Sequence, residues 1–277
     1  MATMRALLDD GARALPGEEA RREAVLLLAH VLDVSDTWLI AHAGDNVDEA
    51  SAADYRALVE RRARGEPVAY LIGVRGFHTL DLTVTPDVLI PRPETELLVD
   101  LALQWIPADS ERAVADLGTG SGAIALAIAH ARPGARVVAT DVGDDALAIA
   151  RDNGVRLGLR NIEFVQGDWC QALGDRSFDV IVSNPPYVAE GDPHLRLGDL
   201  RFEPRDALAS GVDGLDAIRE IVRDAPAHLR ENGWLLLEHG FDQGAAVRDL
   251  LARNGYAQVF TARDLGGHER VSGGRAE

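Results

Sequence analysis

The sequence predicts an α/β protein: a mostly parallel sheet with an antiparallel last strand, preceded by a small helical domain and a β-hairpin linker. Three observations carry this. Apolar residues fall only at helical spacing over the first 65 or so residues. The period drops to two near Gly73. After Arg112, short runs rich in β-branched residues alternate with helical stretches, the pattern of a parallel sheet covered on both faces.

In chain order, residues 18–33 carry Ala24, Leu27, Leu28, Val31 and Leu32 on one helical face, and Ser35-Asp-Thr-Trp38 can open a second, short helix. A third helix is predicted over 48–64, with Gly65 as its stop. Phe77-His-Thr-Leu-Asp-Leu-Thr-Val84 alternates as a strand, Pro86-Asp87 reads as a turn, and the pattern resumes at 88–90. Pro91-Arg-Pro-Glu-Thr-Glu96 then starts a helix that runs to about Trp105. Strands are expected at 114–117, 137–141, 162–166, 180–183 and 234–238, with helices at 123–131, 145–157, 215–230 and 244–254. Segments 258–263 and 269–271, around Gly266-Gly267, look like a final antiparallel pair. The domain boundaries that follow are 1–72 for the helical region, 73–92 for the hairpin linker and 93–277 for the α/β domain.

Composition narrows the possible functions. No run approaches the ~18 apolar residues of a membrane span, and the opening MATMRALLDD turns acidic too early for a secretory signal. A cytoplasmic protein is expected. The single cysteine, Cys170, excludes an internal disulfide and a cysteine-based zinc site. The histidines have no metal-ligand spacing, so no metal is expected. All 28 basic residues are arginine, which removes Schiff-base and phosphate-loop lysine chemistry. A net charge of −17 opposes broad attraction to nucleic acid or anionic membranes.

Asp116-Leu-Gly-Thr-Gly-Ser-Gly122 lies between the first strand and first helix of the α/β region. Glycines there let the backbone turn tightly and approach a ligand; the order is G-x-G-x-G, with Ala123 where a final glycine would sit, and a tight βα turn with no ligand is the bland alternative. Asp141 ends the second strand, 23 residues after Gly118, where an acid can accept from two ribose hydroxyls; as a bland alternative it caps the next helix. Asp168 and Trp169 follow the third strand and can hold an adenine by a hydrogen bond and an apolar face. Three successive strand ends thus supply groups for one nucleoside. The fourth ends in Asn184-Pro-Pro-Tyr187, at the edge of the sheet that the nucleoside would occupy.

At this point the sequence resembles class I (Rossmann-like) S-adenosylmethionine-dependent methyltransferases carrying (N/D)PP(Y/F), which act on planar nitrogens. Arg64-Gly-Glu-Pro-Val-Ala-Tyr-Leu-Ile-Gly73, Phe77, Leu89-Ile-Pro-Arg-Pro-Glu-Thr-Glu96, Phe202-Glu-Pro204, Glu238-His-Gly240 and Asp264-Leu-Gly-Gly-His-Glu-Arg270 narrow the resemblance to the HemK/PrmC family. The match spans nearly the whole chain. It implies methyl transfer from S-adenosylmethionine, leaving S-adenosylhomocysteine, to the glutamine of the Gly-Gly-Gln loop in class-1 peptide chain release factors. Residues 1–72 would then recognise the substrate, and 93–277 would be the methyltransferase domain. The resemblance, with the strand-end argument, assigns Gly118, Thr119, Gly120, Ser121, Gly122, Asp141, Asp168 and Trp169 to the cofactor. It assigns Asn184 to both cofactor and glutamine, and Arg92 to the entrance of the glutamine loop. An amide nitrogen is a poor nucleophile, and positioning is the available remedy. Asn184 and a carbonyl of Pro185-Pro186 can accept its two N–H bonds, proline keeps that segment pre-aimed, and Tyr187 can stack on the amide plane.

Three other readings share part of this pattern. A nucleic-acid amino-methyltransferase would need a basic groove, yet residues after 75 hold 32 acids against 19 arginines. A glutamine methyltransferase of a ribosomal protein shares NPPY, and the helical region does not separate it. A non-enzymatic cofactor-binding scaffold would bind the cofactor without transferring its methyl group.

Overall fold

Short polar side chains set where the N-terminal helices begin. A computed structural model describes residues 2–277; in it Thr3 accepts from the Ala6 N–H at 3.3 Å, Ser35 from Trp38 at 3.2 Å and Asp48 from Ser51 at 3.0 Å. Each satisfies a donor that the first helical turn leaves unpaired. The helices are α1 (Met4–Ala14), α2 (Ala20–Leu32), α3 (Asp36–Ala41), α4 (Glu49–Ala63) and a single turn, α5 (Val68–Ile72). Leu7, Leu27, Leu28, Leu39 and Tyr55 are buried among them. The region is not helical throughout: β1 (Ala2–Thr3) and β2 (Asn46–Val47) pair antiparallel. Strands of two residues are too short for alternation to register in the sequence.

The chain divides into two compact units. The helical unit runs through Val74 and takes in Leu197–Phe202; the second comprises Arg75–Arg196 and Glu203–Glu277. Within the first, Arg62 of α4 pairs with Glu23 of α2 at 2.8 Å and with Asp199 at 2.7 Å.

A hairpin, β3 (Val74–Phe77) and β4 (Leu80–Thr83), follows α5 in the chain. The expected turn at Pro86-Asp87 is not where the strands reverse. They meet across His78-Thr79, with His78 at φ 54°, a left-handed conformation that histidine tolerates better than most side chains. Residues 88–90 form no strand, and the Ile90 N–H goes to Glu203 Oε2 at 3.1 Å. A 3₁₀ turn at Pro93–Thr95 leads into α6 (Glu96–Gln104).

The main sheet comprises β5 (Ala113–Leu117), β6 (Arg136–Asp141), β7 (Ile162–Gln166), β8 (Phe178–Ser183), β9 (Leu229–Glu238), β10 (Ala257–Arg263) and β11 (Glu269–Arg275). Their order is β10-β11-β9-β8-β5-β6-β7, with β5 through β9 parallel and β11 antiparallel to both neighbours. Helices α7 (Ala123–Ala131), α8 (Asp144–Arg156), α9 (Asp216–Asp224) and α10 (Gly244–Arg253) complete it. Alternate strand residues enter opposite cores. Val114, Val180 and Val182 meet Leu98, Ile124 and Ile128 on one face; Ala115, Leu117 and Ile181 meet Ile218, Val222 and Leu251 on the other.

The helix expected over 215–230 stops at Asp224 and yields to a 3₁₀ turn, Ala225–His228. Pro226 has no N–H to continue the helix. Strand β9 therefore starts at Leu229, five residues before the apolar run from Trp234 reveals it. The chain runs outward from β5 to β7, then crosses back to β8. That reversal, between β5 and β8, is the switch point at which open α/β sheets leave a crevice.

Candidate active site

Strand register brings the two motifs together. Leu117 of β5 is the partner of Ser183 of β8, so Gly118 and Asn184 leave the sheet side by side at the switch point. The Ser183 hydroxyl ties the two ends together by donating to the Leu117 carbonyl at 2.7 Å. The glycine loop then folds over Asp116, which is fully buried. Its Oδ2 accepts from the Thr119 hydroxyl at 2.7 Å and the Ala125 N–H at 3.2 Å, while Oδ1 is buried without a partner. Burial pushes this carboxyl up to about 7, against the two donors.

Two of the loop's glycines meet different surroundings. At Gly118, φ is 71° and a Cβ would sit 3.0 Å from the Trp169 ring. At Gly120, φ is 55° and a Cβ would meet nothing within 4 Å. That space is open to a ligand, and the Gly120 N–H beside it goes to Asp141 Oδ2 at 2.9 Å. Gly122 serves packing instead, because a Cβ there would lie 2.7 Å from the Leu126 side chain.

Asp141 is not the cap of α8, whose N-cap is Gly143; its Oδ1 takes the Gly143 N–H at 2.9 Å, two residues on, as in an Asx turn. Each oxygen thus has one donor, and a carboxylate has room for more. Trp169 holds φ at 34°, which carries its indole over Gly118.

Asn184 donates from Nδ2 to the Thr95 hydroxyl at 3.2 Å, and among the described residues nothing donates to its Oδ1. Tyr187 turns its hydroxyl to Glu238 Oε1 at 3.3 Å, and its carbonyl accepts from Gln243 Nε2 at 3.0 Å. Burial pushes the Tyr187 hydroxyl above its ordinary range, and Glu238 adds to the effect. Glu238 is itself buried, and that burial pushes it up to about 7 against a hydrogen bond from Thr95, the charge of Arg270 and the bond from Tyr187. Arg92 is paired with Glu203, whose other oxygen holds Ile90.

These groups surround one cavity of about 440 Å³. Of the residues singled out by sequence, Arg92, Gly118, Thr119, Gly120, Ser121, Asp141, Asp168, Trp169, Asn184 and Pro186 line it. Gly122, Pro185 and Tyr187 do not; Pro185 is buried, and the Tyr187 ring packs against the core beneath β8. Five aspartates (Asp87, Asp141, Asp145, Asp168 and Asp206) face a single arginine around the wall. Such a lining favours a cationic nucleoside over a phosphorylated one. The open space at Gly120, the Asp141 carboxylate and the Trp169 indole fit S-adenosylmethionine, which carries a sulfonium and an ammonium.

Residues 6–73 match the PrmC N-terminal domain, and residues 95–203 match the methyltransferase small domain. The release factor glutamine methyltransferase of Xylella fastidiosa (strain Temecula1) is 57% identical over 92% of this chain and 93% of its own. That of Pseudomonas aeruginosa is 50% identical over 99% of both. The chain belongs to the HemK/PrmC family of release factor glutamine methyltransferases. A T. thermophilus 16S rRNA methyltransferase solved in complex with AdoMet and guanosine shares the fold, with TM-score 0.56 and 20% identity over 74% of this chain and 50% of that one.

Residues beyond those predicted also build this HemK/PrmC site. Thr95, Glu203 and Glu238 sit inside the motifs that carry the family resemblance, but their side-chain partners lie 89, 111 and 51 positions away. Asp116 opens the glycine loop and braces it from below. The wall formed by Pro86, Val88, Pro204 and Ala207 joins segments more than 100 positions apart, and only the tertiary fold assembles it.

Proposed function

We propose that this protein transfers the methyl group of S-adenosylmethionine to the side-chain amide nitrogen of the glutamine in the Gly-Gly-Gln motif of class-1 peptide chain release factors. Its place is the cytoplasm, where translation terminates. One observation carries the reading: Asn184, with an acceptor oxygen that no group among the described residues uses, lines the same cavity as the glycine loop and Asp141. Gly118, Thr119, Gly120, Ser121, Asp141, Asp168 and Trp169 would hold the cofactor, with Gly122 setting the loop's turn. When bound, it supplies an electrophilic methyl on a sulfonium.

The chain's own residues do the rest. Asn184 Oδ1 and a carbonyl of the Pro185-Pro186 segment accept the two N–H bonds of the glutamine amide. With both hydrogens held, the π-face of the nitrogen is fixed, an orientation effect worth several kcal/mol. The nitrogen sheds one of its protons to solvent only after it has gained the methyl, when it is strongly acidic, so no strong base is required beforehand. Tyr187 supports the segment from below through Glu238 and Gln243, and Arg92, fixed by Glu203, shapes the entrance. The 57% identity to a release factor glutamine methyltransferase supports the substrate class.

The test is mass spectrometry of a purified class-1 release factor incubated with this protein and S-adenosylmethionine. A single methyl on the Gly-Gly-Gln glutamine is expected, absent when that glutamine is replaced. No methyl there, with cofactor binding shown separately, overturns the reading.

A further inference from the structure

Pro185 and Pro186 have φ locked by their rings and carry no N–H. The aim of their carbonyls is therefore set by ψ alone, and ψ follows from where the flanking residues are held. Ser183 fixes the near end by donating to the Leu117 carbonyl at 2.7 Å. Beyond the motif the chain pairs with residues 208–211. The Val188 N–H donates to the Leu208 carbonyl, and the N–H groups of Ser210 and Glu190 donate to the carbonyls of Val188 and Gly211, each at 2.9 Å. Tyr187 stands between these two ends, and its carbonyl accepts from Gln243 Nε2 at 3.0 Å. Gln243 is the N-cap residue of α10, and three backbone groups surround its amide. The same Nε2 donates to the Asp213 carbonyl at 3.1 Å, while Oε1 accepts from the Gly240 N–H at 2.8 Å. The two carbonyls can only accept and the N–H can only donate, so the amide sits one way round. The loop it grips is itself anchored, because the Asp213 carboxylate accepts from Arg219 of α9 at 2.9 Å. Gly214, at φ 76°, allows the close approach: a Cβ there would lie 2.2 Å from the Tyr187 carbonyl oxygen and 2.8 Å from Gln243 Nε2.

We propose that Gln243 is a positioning residue: by holding the Tyr187 carbonyl against the 213–214 loop, it fixes the aim of the Pro185-Pro186 carbonyls at the substrate amide. The proposal rests on the orienting role given to Asn184 and this segment above. Gln243 lies outside the cavity lining, so its loss should reach turnover without reaching cofactor affinity. Two replacements divide its bonds. Gln243→Glu keeps an acceptor for the Gly240 N–H, but an oxygen now faces the two carbonyls and Tyr187 is released. Gln243→Met removes acceptor and donor together. Arg248→Ala is the control on the same helix, because Arg248 donates to Thr261 at 2.7 Å and Glu269 at 3.1 Å, neither of them in the motif.

The experiment compares steady-state methylation of a class-1 release factor by the full chain and by Gln243→Glu, Gln243→Met, Arg248→Ala and Asn184→Ala. S-adenosylhomocysteine affinity is measured by calorimetry, and melting temperature alongside. Both Gln243 variants are expected to lower kcat about 10- to 100-fold, the upper figure being the scale of a misplacement of about 1 Å at the reacting atoms. The loss should fall on kcat rather than on KM, with cofactor Kd unchanged. Arg248→Ala should melt lower than wild type and keep its kcat. A merely structural role would lower kcat in step with melting temperature, Arg248→Ala included, and that result overturns the proposal. Wild-type kcat in both Gln243 variants, alongside an inactive Asn184→Ala, overturns the latch and leaves the orienting role standing. Wild-type kcat in Asn184→Ala overturns the orienting role beneath it, and no methylation by the wild-type chain overturns the function itself.

Discussion

Replacing Gly120 by alanine separates a backbone cost from a ligand clash. At φ 55° an L side chain is disfavoured by about 1–2 kcal/mol. In the second unit that corresponds to a melting shift of about 2–4 °C per kcal/mol. Gly158, just beyond α8, has φ 70° and likewise nothing within 4 Å of its Cβ position, and it lies outside the cavity lining. Gly158→Ala therefore measures the backbone cost alone. In the ligand-free protein Gly120→Ala should melt no lower than this control. On binding, its methyl must share the space that S-adenosylmethionine would fill, and overpacking of that kind costs about 1–3 kcal/mol. The expected weakening of S-adenosylhomocysteine binding is about 5- to 150-fold by calorimetry, at 1.4 kcal/mol per tenfold. Gly118→Ala should differ again: its Cβ would press on the Trp169 ring at 3.0 Å, so it should melt below the control even without ligand. Wild-type Kd in Gly120→Ala, with the melting shift of Gly158→Ala, would refute the assignment of this cavity to the cofactor.

Asp141→Ala should weaken S-adenosylhomocysteine binding by about 1–3 kcal/mol through lost charge-assisted bonds; an unchanged titration midpoint rejects its ribose role. Arg92→Ala leaves Glu203 buried with only the Ile90 N–H, so a stability loss of about 3 kcal/mol is expected in urea. Adding Glu203→Gln should recover part of that loss, and no recovery would show that the unpaired carboxylate is not the cause. Asp179, at the start of β8, has a carboxyl that burial would raise, but the Ala113 N–H, Arg112 and Arg230 outweigh burial and hold it below the ordinary range. A depressed folded pKa gives stability that is complete above about pH 4 and is lost as pH falls through the folded value. Asp179→Asn should therefore be less stable than wild type at pH 7, with the gap narrowing toward pH 3; a constant gap in urea midpoints would contradict this.

How much of the site the sequence disclosed depended on whether a residue's partner was local. Gly118, Gly120 and Asp141 sit at strand ends, and parallel topology carries strand ends to one edge whatever the details of packing. Their convergence was accordingly readable from alternation alone. The hairpin was expected but the place of its turn was not: Phe77 to Val84 alternates as one strand, and only the left-handed backbone at His78 cuts it in two. Tyr187 shows a subtler limit. As part of Asn-Pro-Pro-Tyr it looked like a face for the substrate amide, yet a buried phenol needs a partner, and the sequence does not say which carboxylate lies beneath it. The partner is Glu238, at the end of the strand beside β8. That adjacency, fixed by a crossover of more than forty residues, puts a carboxylate under the Tyr187 hydroxyl. A motif names the groups that stand at a strand end, while the neighbouring strand supplies the partner that holds one of them.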